Sequence, residues 1–224
     1  MKKLRVAIDG PAGAGKSTVA QIVAERLGYI YIDTGAMYRA LTWQVIQKSL
    51  DVNDENAVAA IARETKIGLS FAGGKTRVFV DETEVTDLIR QKEVTNLVSG
   101  VAKWPAVRKV LLKAQQEMAR SGGVVMDGRD VGTFILPDAE VKIFLTASIS
   151  ERAKRRYLEF KEKNPAARID LAEIEREIAA RDEADTKRET APLCQAPDAI
   201  VLDTTELSIE ETAQKILGFC GNIF

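Results

Sequence analysis

A glycine-rich segment near the start of the chain has the residue types and spacing of a phosphate-binding loop. Residues 10–17 match the pattern G-x-x-x-x-G-K-[ST]. Glycines let backbone amides turn toward an anion without a Cβ in the way, and the following helix directs its positive end to the same point. We therefore expect a nucleoside triphosphate to bind here, through Gly10, Pro11, Ala12, Gly13, Ala14, Gly15, Lys16, Ser17 and Thr18.

Two of these residues carry side chains suited to phosphoryl transfer. Lys16 would place a full positive charge near the β/γ oxygens, and the Ser17 hydroxyl could ligate Mg²⁺. The alternative is a chance match to the pattern. The flanking residues favour a true phosphate loop, because Val6-Ala7-Ile8 resembles a buried strand, residues 19–27 form a helical apolar pattern and Gly28 is placed to end it.

The composition excludes several other kinds of chemistry. The chain has 224 residues, a net charge of −1 and no histidine. Histidine general bases, Ser-His-Asp triads and histidine-ligated zinc are therefore excluded, and acid–base work falls to carboxylates or lysine. Phosphoryl transfer tolerates this, because its catalysis consists mostly of positioning and charge stabilisation. The near-neutral charge predicts neither nucleic acid nor a membrane surface as a partner.

The start of the chain and its two cysteines bear on location. Met1-Lys2-Lys3 leads directly into a strand too short for a signal peptide, and no apolar run approaches membrane-spanning length. Cys194 and Cys220 lie far apart without metal-binding spacing. The alternatives are a disulfide between them and free thiols in a reducing compartment. The second is favoured, and we expect a cytoplasmic protein.

Apolar segments and helical patterns alternate along most of the chain. This alternation predicts a parallel sheet with helices on both faces, and its strands are placed at 4–9, 29–32, 123–127, 141–145 and 199–202. Between Ile67 and Val80 the apolar residues alternate around Ala72-Gly73-Gly74-Lys75, which predicts a β-hairpin. We expect one domain over 1–224, with a core of 1–63, 91–149 and 170–224, an insertion at about 64–90 and a mobile helical lid at about 150–169.

Polar residues follow two of the predicted strands, where ligands of such sheets bind. Thr34 is a candidate helix N-cap, and Arg39 on the next turn could meet a phosphate, or it could simply be a solvated arginine. In Asp127-Gly128-Arg129-Asp130, the first carboxylate could hold Mg²⁺ through water, Arg129 could neutralise the transferring phosphate and Asp130 could accept from an amino group. The alternative for this segment is a plain turn.

Charged residues also share faces on two helices near the C-terminus. On a helix from about 170 to 188, the inward stripe of Leu171, Ile174 and Ile178 continues as Arg181, Asp185 and Arg188. Buried charges need partners, so this stripe is either an internal ion-pair ladder or a site for an anionic ligand. On the lid, a second set could be solvated or could close over the phosphoryl group: Arg152, Arg155 and Arg156.

These motifs together resemble the bacterial cytidylate kinases of the nucleoside monophosphate kinase superfamily, over essentially the whole chain. The resemblance rests on Asp33-Thr34-Gly35-Ala36-Met37-Tyr38-Arg39 and Asp127-Gly128-Arg129-Asp130 in addition to the phosphate loop. It implies a P-loop kinase fold, in which the insertion belongs to the monophosphate-binding region. It also implies transfer of the γ-phosphate of ATP to CMP or dCMP with Mg²⁺, and a monomeric enzyme.

The resemblance also implies roles for particular residues. Cytosine recognition falls to Ser99, Arg108 and Asp130, the ribose to Arg181 and Asp185 with Thr34 nearby, and the monophosphate to Arg39, Arg129 and Arg188. Acceptors at Asp130 and Ser99 would repel uracil, which has a carbonyl where cytosine has an amine. Some relatives have serine in place of Thr34, and some have Gly-Thr in place of Ser17-Thr18.

Two other functions are compatible with a phosphate loop. A regulatory GTPase or an ATP-driven binding module would hydrolyse nucleotide as a timer, but the guanine-specific N-K-x-D pattern is absent. A kinase for another acceptor, such as UMP, AMP or a small alcohol, would keep the same fold. The many arginines around the expected acceptor site favour a second anionic substrate over a timer.

Overall fold

Five parallel strands form the centre of the molecule. The computed structural model describes residues 3–72, 75–163, 165 and 169–221. The strands are β1 (Arg5–Asp9), β2 (Ile30–Asp33), β6 (Val124–Asp127), β7 (Val141–Thr146) and β8 (Ile200–Asp203). Their order across the sheet is β2-β6-β1-β7-β8, and every pairing is parallel. The predicted sheet and its five strand positions are confirmed.

Eight α-helices lie within the described residues, and those that pack on the sheet lie on both of its faces. They are α1 (Lys16–Leu27), α2 (Thr34–Gln47), α3 (Glu55–Glu64), α4 (Lys92–Ala102), α5 (Pro105–Ala119), α6 (Ile149–Lys163), α7 (Leu171–Lys187) and α8 (Ile209–Gly221). The apolar run of β1 explains the two layers: Val6 and Ile8 pack with α1 and α8, whereas Ala7 faces the opposite cluster with the end of α5. Gly28 ends α1 at a φ of 64°, as predicted.

A second, antiparallel sheet occupies the position of the predicted insertion. It consists of β3 (Ile67–Ala72), β4 (Lys75–Val80) and β5 (Thr83–Glu84), with Ile67 opposite Val80. Val78 and Val80 pack on the small residues of α2, which explains why the alternating face is apolar. The hairpin is confirmed by the antiparallel pairing of β3 and β4, and the predicted turn residues Gly73 and Gly74 lie outside the described residues. Within the described part of the chain, no helix is both long and apolar enough to cross a bilayer.

Two helices form the region predicted as the lid and the charged stripe. Ala153 of α6 packs against Ile174 and Ile178 of α7 in a small separate core. The predicted inward position of Leu171 is wrong: this residue opens α7 and is 41% exposed, because the apolar contact begins one turn later. Residues 164 and 166–168 of the predicted lid lie outside the described residues. The division into core, insertion and lid stays a prediction.

Candidate active site

The phosphate loop joins the end of β1 to the start of α1 at the carboxyl edge of the sheet. Gly10 has a φ of 148°, and a Cβ there would lie 1.9 Å from the carbonyl oxygen of Leu145 in β7. Only glycine fits this close approach of two backbones. Gly15, in the left-handed conformation, is the residue that precedes α1, so the helix directs its free amides into the loop. The strand, loop and helix follow in the predicted order.

Lys16 is held inside the phosphate loop. Its Nζ donates to the carbonyl oxygen of Pro11 at 2.7 Å, and only 5% of the residue is exposed. Burial lowers the pKa of Lys16 to about 7, and the positive charge of Arg129 adds to the shift, although Asp127 opposes it. A phosphate beside Lys16 would supply the negative charge that favours its protonated form.

Asp127, at the end of β6, lies beside Ser17 and forms a candidate metal-binding pair with it. The Ser17 hydroxyl donates to Oδ2 of Asp127 at 3.0 Å, and the Tyr31 hydroxyl donates to Oδ1 at 2.6 Å. Burial raises the pKa of Asp127 to about 7, and the charge of Asp33 adds to this. A cation would oppose that shift and favour the carboxylate.

The donor set suits Mg²⁺. No group of three or more histidine, cysteine or acidic residues that could hold a metal exists within the described residues. Mg²⁺ does not need such a cage, since it usually takes one or two protein oxygens and keeps waters and substrate phosphates as its other ligands. The hydroxyl of Ser17 and the carboxylate of Asp127 are hard oxygen donors of this kind.

Thr34 does not cap its helix, contrary to the prediction. The N-cap is Asp33, whose Oδ1 accepts from the amide of Ala36 at 2.8 Å, and Thr34 is the first helical residue. The Thr34 hydroxyl instead donates to the carbonyl oxygen of Asp127 at 2.8 Å. Both residue types are good caps, and Asp33, the last residue of β2, supplies the acceptor one position before Thr34. Thr34 still lines the cleft.

Arginines from separate elements converge on the cleft opposite the phosphate loop. Arg39 donates to Thr95 Oγ1 at 2.8 Å, and burial lowers its pKa to about 10. Burial also lowers the pKa of Arg181 to about 9, with Arg129 and Arg39 adding repulsion, and Arg181 Nε has no hydrogen-bond partner among the described residues. Like charges at close range are unfavourable without counter-ions, so this cluster is suited to an anionic ligand.

Asp185 balances part of this positive charge. Its Oδ2 accepts from Arg129 Nε at 2.8 Å, and its Oδ1 lies 3.8 Å from Arg188. Burial opposes its ionisation, but Arg129, Arg181 and Arg188 hold the pKa of Asp185 below its ordinary value. Of the ion-pair ladder that was one alternative for this stripe, the described residues show only the pair of Asp185 and Arg188, and the closest partner of Asp185 is Arg129 from the loop after β6.

Asp130 receives two arginines in a buried corner of the cleft. One oxygen forms an ion pair with Arg108, and the other accepts from Arg188 Nη2 at 3.1 Å. Arg108 lies over the ring of Tyr38, and its Nε has no hydrogen-bond partner within the described residues. Ser99 lines the cleft, and it also lines a small pocket together with Arg188, the arginine that binds Asp130. The structure therefore brings together the three residues predicted for base recognition, Ser99, Arg108 and Asp130.

The three lid arginines line the cleft, but each has protein partners. Arg152 is 4% exposed and donates to the carbonyl oxygen of Ala12 and to Asp182. Arg155 donates to the carbonyl oxygen of Thr204 at 2.5 Å and to Glu151. Arg156 lies 3.8 Å from Glu177. Arg152 contacts the phosphate loop directly, whereas Arg155 is held at the end of β8.

Three carboxyl or hydroxyl groups at this site were missed by sequence reasoning. Asp182 accepts from the amide of Ala12 at 3.0 Å, and Tyr31 contacts Asp127. Asp9 accepts from the amides of Val131 and Gly132 at 2.8 and 2.7 Å, which fixes the segment after Asp130. Asp9 carries a usable signal, a carboxylate at the end of a buried strand; the pattern around Asp182 and Tyr31 contains none.

The raised pKa of Asp9 predicts that the stability of the protein depends on pH. Burial raises its pKa from an ordinary 3.8 to about 6, although the two amides oppose the shift. The folded state then binds more protons than the unfolded state between these values, so ionisation of Asp9 costs stability as pH rises from about 4 to 6. Relative to Asp9→Asn, the unfolding free energy of the wild type should fall by up to ~3 kcal/mol over this range. Urea denaturation of both proteins at several pH values measures it, and a constant difference would contradict the assignment.

The cleft around these residues has a volume of about 990 Å³ and runs from the phosphate loop to the Asp130 corner. That is the upper end of the range for small-ligand sites. The class of P-loop kinases is defined by a phosphate loop on a parallel sheet that faces a second site for an anionic substrate. Here the phosphate loop faces a group of arginines across the cleft. A sequence model of the family described as cytidylate kinase matches residues 6–221, and the chain belongs to this family.

Individual relatives agree with that assignment. The chain is 54% identical over 216 residues to the cytidylate kinase of Geobacillus sp. (strain WCH70), covering 96% of this chain and 95% of that protein. It is 55% identical to the cytidylate kinase of Bacillus pumilus (strain SAFR-032) at the same coverage. Over 223 residues it is 49% identical to that of Bacillus thuringiensis (strain Al Hakam), covering 100% and 98%.

Solved structures share the fold at low sequence identity. Shikimate kinase from Bacteroides thetaiotaomicron superposes with a TM-score of 0.51 at 14% identity, covering 97% of this chain and 98% of that one. A gluconokinase from Sinorhizobium meliloti 1021 gives the same TM-score and identity, covering 99% and 94%. The predicted kinase fold is confirmed by this likeness and by the sheet order.

Proposed function

We propose that the protein transfers the γ-phosphate of ATP to CMP or dCMP, giving ADP and CDP or dCDP. Membership of the family supports the reaction, and one observation of the site carries it. Arg39, Arg129 and Arg181 face the phosphate loop in a cleft where their own charges repel one another. A second phosphate, that of the acceptor nucleotide, would relieve this repulsion and lie within reach of the first.

The proposed roles follow from the positions of the residues. The phosphate loop, residues 10–18, would hold the triphosphate of ATP, with Lys16 at the transferring group. Arg39, Arg129 and Arg188 would hold the acceptor phosphate, and Arg181 and Asp185 the ribose beside Thr34. Lid arginines would stabilise the charge that develops during transfer, and Arg152 is closest to this role because it already contacts Ala12.

Ser17 and Asp127 would hold Mg²⁺ together with the nucleotide phosphates. When bound, the ion supplies charge neutralisation to the phosphate oxygens. The chain contributes the rest: Ser17 and Asp127 fix the oxygens offered to the ion, and Thr34 fixes the backbone of Asp127. No general base is required, which agrees with a cleft that contains no histidine.

Cytosine recognition is proposed for the corner made by Asp130, Arg108 and Ser99. The carboxylate of Asp130 can accept from the exocyclic amine of cytosine, and Arg108 can donate to the opposite edge of the base. Uracil would present a carbonyl to the same carboxylate and lose this hydrogen bond.

A cytoplasmic location and a monomeric state remain predictions of the sequence.

The direct test is a coupled assay of ADP release with ATP and Mg²⁺ against five acceptors: CMP, dCMP, UMP, AMP and GMP. Turnover with CMP and dCMP only would support both the reaction and the cytosine corner. Turnover shifted to UMP or AMP would keep the kinase but contradict the roles of Ser99, Arg108 and Asp130. Slow ATP hydrolysis that no monophosphate stimulates would contradict the proposal and favour a timer protein.

A further inference from the structure

Tyr31 is a buried residue of β2 whose hydroxyl reaches the carboxyl edge of the sheet. The residue has no exposed surface, and its hydroxyl donates to Oδ1 of Asp127 at 2.6 Å. The other oxygen of this carboxylate, Oδ2, accepts from Ser17. We infer that Tyr31 is a positioning residue that orients Asp127 for Mg²⁺ bound with a nucleotide, an inference that rests on the proposed function.

The phenol ring is fixed by the core around it. Tyr31 belongs to the cluster that joins the sheet to α1, and its ring meets the ring of Phe71 edge-on, with centroids 5.7 Å apart. Its backbone pairs with Val125 in β6, two residues before Asp127. A ring confined in this way holds its hydroxyl at one point, so the hydrogen bond fixes the carboxylate rather than the reverse.

Packing alone does not require a tyrosine here. Phenylalanine has the same ring and would fill the same core space, whereas a buried phenol hydroxyl needs a hydrogen-bond partner. The partner that this chain supplies is the acidic residue proposed for the metal. Hydrogen bonds to metal-binding carboxylates fix the orientation of the ligand, and their loss typically lowers metal affinity roughly 10–100-fold.

The two oxygens of the Asp127 carboxylate have different partners. Oδ1 is satisfied by Tyr31 from the core side, and Oδ2 is directed to Ser17 at the start of α1. Thr34 holds the backbone of Asp127 from a third side. Without the Tyr31 hydroxyl, Oδ1 would be buried without that donor, and rotation of the carboxylate would turn Oδ2 away from Ser17.

The test compares nucleotide binding with and without a metal in Tyr31→Phe. Isothermal titration calorimetry would measure the Kd of ADP in the presence of Mn²⁺ and in the presence of EDTA. The Kd in EDTA divided by the Kd in Mn²⁺ reports how strongly the protein couples metal binding to nucleotide binding. We expect this ratio to fall about 10-fold in Tyr31→Phe, with the Kd of metal-free ADP unchanged. Asp127→Asn should lower this ratio at least as much.

Tyr29→Phe is the matched control. Its hydroxyl accepts from the amide of Leu4 at 3.1 Å, on the same chain segment but away from Asp127. This variant should lose a partly buried hydrogen bond and keep the wild-type ratio. A wild-type ratio in Tyr31→Phe would overturn the inference, and so would equal weakening of ADP binding with and without metal. The measurement needs no turnover of CMP, so a failed acceptor assay would overturn the proposed function and leave this result readable.

Discussion

Lys16→Met is expected to lower kcat by roughly 10²–10³-fold, because it removes a preorganised charge from the transferring phosphate. Methionine keeps the apolar stem of the side chain and removes only the ammonium group. Lys16 is buried, and its Nζ is held by the carbonyl oxygen of Pro11 inside the phosphate loop. The KM for CMP should change little, since the acceptor arginines lie across the cleft. Steady-state kinetics with CMP and ATP measure both constants.

Lys142→Met is the control for this prediction. Lys142 of β7 is also a buried lysine; it does not line the cleft, and it pairs with Asp198, which precedes β8. Its loss should lower stability and leave kcat unchanged. Lys16→Met should do the opposite: burial lowers the pKa of Lys16, so its replacement removes an unfavourable charge and the Tm without nucleotide should not fall. A wild-type kcat in Lys16→Met would contradict the proposed role.

The main sheet could be predicted from the sequence because its information is local. The inner strands β1 and β6 are short apolar runs that are buried on both faces, and α1, which follows β1, buries apolar residues at helical spacing. The phosphate loop combines glycines, lysine and serine at fixed offsets, and its backbone geometry follows from those residue types. The hairpin could be predicted for the same reason, since the apolar residues of β3 and β4 alternate along one face.

Pairings between distant side chains could not be predicted in the same way. Arg152 meets Asp182, and Tyr31 meets Asp127, across separations of 30 and 96 residues. Such contacts depend on how elements pack, and sequence periodicity fixes the face of a residue but not its partner. The cap at Thr34 failed for a local reason, because Asp33 offers an equally good acceptor one residue earlier.

Asp130→Asn is expected to lower the preference for CMP over UMP by roughly 10²-fold, equivalent to about 2.7 kcal/mol of discrimination. The carboxylate of Asp130 is 4% exposed and is held between Arg108 and Arg188, so neither water nor rotation would compensate for the change. Asparagine replaces one acceptor oxygen with an amide donor. That donor would oppose the amine of cytosine and could bond the carbonyl of uracil. The ratio of kcat/KM values for the two acceptors measures the effect.

Asp185→Asn separates recognition of the base from general damage to the cleft. Asp185 is also a buried carboxylate paired with arginines, Arg129 and Arg188, but it lies on α7 at the proposed ribose position. Its loss should weaken CMP and UMP alike, because both nucleotides carry the same ribose and phosphate. A lowered CMP preference in Asp130→Asn alone would therefore locate base recognition at Asp130. An unchanged ratio, or equal losses of preference in both variants, would show that another group in the cleft distinguishes the bases.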